Sequence, residues 1–219
     1  MITFADILAN EEIKAYIKAS DDLLEVLGYT DHSEEHSLKT GELAGNILTT
    51  LGHDERTVEL SKIAGYMHDI GCMVARSNHP QTGAMIAFNI LTRLNMDYRE
   101  IALIAGAIGN HDESIGVPIS AVAAALIIAD KSDMRPSRVR PKDIATFDIH
   151  DRVNYAVIGC DVSISTLPPE ILLNVTIDTE ISTIIDFFEC FMSRMFLCKQ
   201  AAEFLDARFR LRINGLDIT

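Results

Sequence analysis

Three strongly apolar stretches of this chain each run into an ionisable residue where a buried helix should end. KIAGYMHDIG closes on His68 and Asp69, IALIAGAIGNHD on His111 and Asp112, and AVAAALIIAD on Asp130. A carboxylate taken out of water without a partner costs several kcal/mol, and an unpaired buried imidazole a smaller amount. No lysine or arginine inside these stretches stands close enough to Asp69 or Asp130 to offset that cost, since Lys62 lies two turns back. A chain with this pattern has to bring its buried acids to a shared positive charge, and a divalent cation can supply it.

The residues that would share such a cation are spread over about a hundred positions. His36 falls early in a helical stretch, on the apolar face with Leu43 and Ile47. His68 and Asp69 are adjacent at a helix end, where neighbouring side chains can converge on one ion. His79 stands before Pro80, ahead of the next helix, and His111 and Asp130 close two later ones. Imidazole and carboxylate donors suit Fe and Mn foremost, with Zn, Co, Ni or Mg as further options. Six donor residues exceed what one ion takes from protein, so two divalent ions sharing a carboxylate fit better.

Helical periodicity dominates the first two thirds. Helices are expected over 11–27, 33–51, 55–70, 81–94, 98–110 and 119–133, punctuated by Gly28, Gly52, Gly71 and the Gly116–Pro118 turn. Beyond Pro141 the pattern changes. RVNYAVIGCDVSIS and EILLNVTIDT read as a hairpin, a helix follows over about 181–206, and RFRLRI alternates as a strand with Arg208, Arg210 and Arg212 on one face. The fold class is therefore mainly α, a helical domain over 1–140 with a small α+β appendage, β-β-α-β, over 141–219. The basic strand face suits an acidic surface of a second subunit, which points to a homodimer.

Charge and composition narrow the partners. Nineteen lysines and arginines against thirty-two acids leave a formal charge of −13, a field that repels extended nucleic acid. No apolar run approaches the length of a bilayer span, and the first residues carry no basic, cleavable leader pattern, so no membrane is expected and the cytoplasm is the expected compartment. The four cysteines show no C-x-x-C spacing and read as reduced core thiols.

Taken together, His36, His68-Asp69 and Asp130, with AGYMHDIG around the doublet, HPQTGAMI around His79 and IADKSDM around Asp130, resemble the HD superfamily of metal-dependent phosphohydrolases. The resemblance covers about residues 30–140 and implies an HD-type helical bundle. His79 and His111 correspond to the additional histidines of its dinuclear branch. The resemblance implies that Asp69 bridges two metals, with His36, His68 and Asp130 on the first and His79 and His111 on the second, and that a water shared between them becomes the nucleophile. The implied reaction is hydrolysis of a phosphate ester or anhydride in a small, nucleotide-like substrate. It also permits an HD-type di-iron oxygenase, or a metal module that only senses a nucleotide.

Cationic help for the phosphate has local candidates. Lys131 beside Asp130 is a candidate catalytic residue together with Asp69; Arg76, Arg135 and Arg138 are candidates for substrate binding, with Arg140 and Lys142 in the same basic run. Two departures stand out. Many relatives carry lysine where this chain has Cys72. HDESIGVP is distantly similar to the H-H-E…G-Y-P signature of the HD-GYP branch, with Asp112 for the second histidine and Val117 for the tyrosine. Asp112 is left as either a ligand or a hydrogen-bond partner of one, and Asp133 as a residue that could orient a ligand. His32, His53 and His150 match nothing, and His32 is expected at the surface.

Overall fold

The computed structural model describes residues 1–141 and 143–218. Its helices in chain order are α1 (Phe4–Leu8), α2 (Glu11–Val26), α3 (Glu34–Thr50), α4 (Glu55–Met67), α5 (His79–Arg93), α6 (Tyr98–Gly109), α7 (Ala121–Lys131), α8 (Ile149–Ala156) and α9 (Ile184–Phe204). The strands are β1 (Val157–Thr166), β2 (Pro169–Ile177), β3 (Arg208–Ile213) and β4 (Leu216–Asp217), in the sheet order β1-β2-β3-β4. The pairing is antiparallel except between β2 and β3, where the long α9 makes the crossover that a parallel neighbour requires. The expected mainly α class holds.

α7 is the post around which the rest is arranged. Every residue from Val122 to Ala129 is buried, because one side packs on α4 and α6 while the other faces α3, α9 and the sheet. One apolar cluster joins α4, α5, α6 and α7 through Ile63, Met67, Ile90, Ile104, Ile108 and Leu126. The other joins Ala44, Ile47 and Leu48 of α3 and Ile128 of α7 to the sheet face of Leu173, Val175 and Leu211 and to Phe187 and Phe191 of α9. The second core thus runs across residue 140, where the helical domain was expected to end.

Local chemistry explains where the elements depart from expectation. The helix expected to reach residue 70 stops at Met67, and a 3-10 turn over Ile70–Met73 follows. The helix expected from residue 81 begins at His79, with Pro80 in its first turn, where a missing N–H costs nothing. Residues 152–156, expected at the start of a strand, are the end of α8: Asp148 and Asp151 form a reciprocal capping box, and Val153 and Ala156 are buried one turn apart. α1 and β4 were not anticipated. The basic face of β3 is answered within the chain, Arg210 by Glu170 and Asp217 and Arg212 by Asp217.

Two close backbone approaches set the position of the His68-Asp69 turn. α3 and α4 cross glycine on glycine, so that a Cβ added at Gly65 would lie 2.6 Å from Cα of Gly41. At Gly71 an added Cβ would lie 2.1 Å from the carbonyl oxygen of His79 and 2.5 Å from the amide of Gly83. Gly65→Ala should therefore destabilise the fold by about 1–3 kcal/mol, the range for overpacking an established contact. Urea unfolding of the purified variant measures it, and an unchanged midpoint would contradict the crossing.

Candidate metal centre

Four imidazoles are oriented by a hydrogen bond from Nδ1. His36 Nδ1 lies 2.8 Å from Asp133 Oδ2, His68 Nδ1 2.7 Å from the Gly65 carbonyl, His79 Nδ1 3.0 Å from the Arg76 carbonyl, and His111 Nδ1 2.6 Å from the Ile108 carbonyl. Each acceptor can take only an N–H, so in each neutral ring the proton sits on Nδ1 and the lone pair on Nε2. The four Nε2 atoms converge, with His36 to His68 at 3.3 Å and His79 to His111 at 3.2 Å.

Asp69 lies between the two histidine pairs, and its carboxylate oxygens divide between them. Oδ2 is 3.0 Å from His68 Nε2 and 3.8 Å from His36 Nε2; Oδ1 is 3.3 Å from His79 Nε2 and 3.7 Å from His111 Nε2. Asp130 Oδ1 completes the first group at 3.4 Å from His36 and 3.6 Å from His68. His36, His68, Asp69, His79 and His111 are all buried, with Asp130 close to it.

Acceptors crowd the cluster, and the positive charges nearest it are Lys131 beside Asp130 and Arg76 over His79. Burial opposes the ionised Asp69 carboxyl, but the His68 charge outweighs it and holds the group well below the usual range. Burial likewise opposes a charge on His68, yet Asp69 and Asp130 outweigh it and push its pKa up to about 10. Neighbouring lone pairs and anions of this kind draw in a cation, either a proton or a metal. Among the described residues, donor atoms within 4.8 Å of one another form three candidate groups: His36, His68 and Asp130; His68, Asp69 and His111; and Asp69, Cys72 and His79. The donor types and the two-sided Asp69 fit divalent metal ions.

The remaining expected residues fall into distinct places. A cavity of about 520 Å³ opens over the cluster and is lined by Asp69, His79, His111 and Asp130 together with Arg76, Lys131 and Arg138. Arg76 Nη1 covers the His79 ring at 2.5 and 2.9 Å from its two nitrogens. Lys131 is buried between Asp130 Oδ2 at 2.7 Å and Glu113 Oε2 at 2.6 Å. Arg138 donates from Nε to the Asp31 carbonyl and from Nη1 to the Asp133 carbonyl. Arg135 does not line this cavity: it binds Asp133 Oδ1 and Glu35, bracing the acid that orients His36. Arg140 is tied to Tyr29 and Asp21, and Lys142 lies outside the described residues. Asp112 Oδ1 accepts from the Ser114 amide and hydroxyl, while its Oδ2 stands 4.0 Å from His79 Nε2.

His32 is not a surface residue. It lines the cavity, packs edge-on to His36 with ring centroids 5.5 Å apart, and is held neutral by burial and by Arg138. Glu113, Arg194 of α9 and His150 of α8 also line the cavity and were missed. Arg194 had a signal available, a lone arginine amid the phenylalanines and methionines of an apolar helix.

Residues 34–135 match the family model of the HD domain. The chain is 25% identical over 171 residues to an uncharacterized protein of Methanocaldococcus jannaschii, an alignment covering 67% of this chain and 65% of that one. It is 31% identical over 123 residues to ribonuclease Y of the Aster yellows witches'-broom phytoplasma, covering 52% of this chain and 22% of the relative. The chain thus spans under two thirds of the length of either curated relative. A crystal structure of a predicted HD superfamily hydrolase from an uncultured Thermotogales bacterium aligns at TM-score 0.45 and 23% identity, over 57% of this chain and 67% of that one. Among the described residues, no helix is long and apolar enough to cross a membrane.

Two outcomes follow from the geometry. A cation that binds the folded chain adds about 2.7 kcal/mol at a hundred times its Kd, so Mn(II) should raise the melting temperature and a chelator should reverse the rise. Asp133→Ala should weaken metal binding about 10- to 100-fold, the usual loss when a ligating histidine loses its orienting partner. Competition against a chromophoric chelator measures that loss, and undiminished affinity would show that Asp133 does not orient His36.

Proposed function

We propose that this chain, whose residues 34–135 carry an HD domain, hydrolyses a phosphate ester or anhydride of a small, nucleotide-like substrate with two divalent cations, Fe or Mn foremost. The carrying observation is Asp69, whose two oxygens face separate histidine pairs, each pair presenting Nε2 lone pairs toward it. Asp69, His36, His68 and Asp130 would hold one ion, and Asp69, His79 and His111 the other. When bound, such a pair of ions lowers the pKa of water toward neutrality and offsets charge on a phosphoryl group.

The rest of the site serves binding and orientation. Asp133 and the Gly65, Arg76 and Ile108 carbonyls fix the four imidazoles in one tautomer before any substrate arrives, so no reorganisation is needed at the moment of reaction. Lys131 holds Asp130 in place and offers an ammonium to the cavity, and Arg76 presents a guanidinium suited to phosphate oxygens. A cavity of about 520 Å³ lies within the range that encloses a small molecule. The formal charge of −13 argues against extended nucleic acid, so the ribonuclease named among the relatives is a weaker guide to substrate than the site.

Purified protein reconstituted with Mn(II) or Fe(II) should release product from a panel of aryl phosphate esters, nucleotides and a short RNA, with turnover among the small compounds. Asp69→Ala should lower kcat by about 10³-fold or more, equal to some 4 kcal/mol of barrier. Metal-loaded wild type that turns over none of these compounds would reject the reading.

A further inference from the structure

Glu113 follows the His111-Asp112 pair in the turn after α6, and its carboxylate is gripped by two cations from different parts of the chain. Oε2 is 2.6 Å from Lys131 Nζ at the end of α7, and Oε1 is 3.0 Å from Arg194 Nε on α9. Arg194 is further fixed by the Phe191 ring, whose centroid lies 4.6 Å from its Cζ. All three polar residues line the cavity over the histidine cluster. Lys131 also reaches Asp130 Oδ2 at 2.7 Å, so the pair of cations adjoins the candidate metal centre directly.

A carboxylate held between an ammonium and a guanidinium marks a place of the right size and charge for an oxyanion. We infer that Lys131 and Arg194 form a two-cation seat for a second oxyanion of the substrate, next to the group that reacts, and that Glu113 occupies this seat until substrate displaces it. The inference rests on the phosphohydrolase reading and deepens it: the favoured substrates carry two neighbouring anionic groups, one at Asp69 and one at Arg194. It also gives the C-terminal part of the chain a binding role, since Arg194 lies outside the matched residues 34–135. Lys131 keeps Asp130 as a partner when Glu113 swings away.

Calorimetric titration of the Mn(II)-loaded full chain separates the two ideas, with inorganic phosphate as a one-group probe and methylenediphosphonate as a two-group probe whose P–C–P bridge resists hydrolysis. Glu113→Gln removes the competing charge and should tighten the diphosphonate about fivefold or more, with phosphate changed less than about twofold. Arg194→Gln should weaken the diphosphonate about tenfold and leave phosphate nearly unchanged, and Arg194→Lys should recover most of the loss. Equal effects on both probes, or a diphosphonate affinity that falls or stays level in Glu113→Gln, would overturn the seat alone. Wild type that binds neither probe would overturn the phosphohydrolase reading and the seat with it. Circular dichroism of each variant confirms that the fold is retained.

Discussion

The Asp69 carboxylate is buried where desolvation disfavours its charge, and it stays ionised because the charge of His68 outweighs that cost, with three further imidazoles close around it. Much of the architecture can be traced to that requirement. His36 comes from α3, His68 from the end of α4, His79 from the start of α5, His111 from the loop after α6 and Asp130 from the last turn of α7, so five elements must end or begin within a few ångströms of one another. Each histidine arrives with its Nδ1 already committed, three to backbone carbonyls and one to Asp133. A cluster built this way has few ways to relax around a missing charge, and that rigidity is what a metal centre needs.

Glycine makes the convergence geometrically possible. α3 and α4 could not bring His36 and His68 together if either backbone carried a Cβ at the Gly41–Gly65 crossing. The 3-10 turn after Asp69 presses against the first turn of α5 at Gly71, which places His79 on the opposite side of the Asp69 carboxylate from His68. The two sides of the centre are thereby linked through backbone contact as well as through the Asp69 carboxylate.

The C-terminal region is part of the site as well as a packing partner. α7 buries one side in the helical layer and the other under α9 and the sheet, so the element that carries Asp130 and Lys131 is fixed by both halves of the chain. Arg194 and His150 line the same cavity from α9 and α8. Cations and acids alternate from Asp130 through Lys131 and Glu113 to Arg194, extending the charged surface away from the centre. The cavity is consequently closed in part by residues outside the span 34–135 that matches the HD domain model.

The sequence by itself determined the helical character of residues 11–131, the strands β1 to β3 after residue 157 and a list of candidate donors. Periodicity reports burial, and an ionisable residue that ends an apolar helix reports a compensating charge, so both are local signals. Capping boxes at Thr3 and Asp148 were equally local and were overlooked, which cost α1 and the helix in front of β1. Only the tertiary structure decided that Asp133 orients His36, that Arg135 braces Asp133 instead of facing the cavity, that His32 is packed on His36 and that Arg194 reaches Glu113. The His36–Asp133 and Glu113–Arg194 contacts join residues 97 and 81 positions apart, and the direction of a side chain across such a gap depends on how helices cross, which no local spacing encodes.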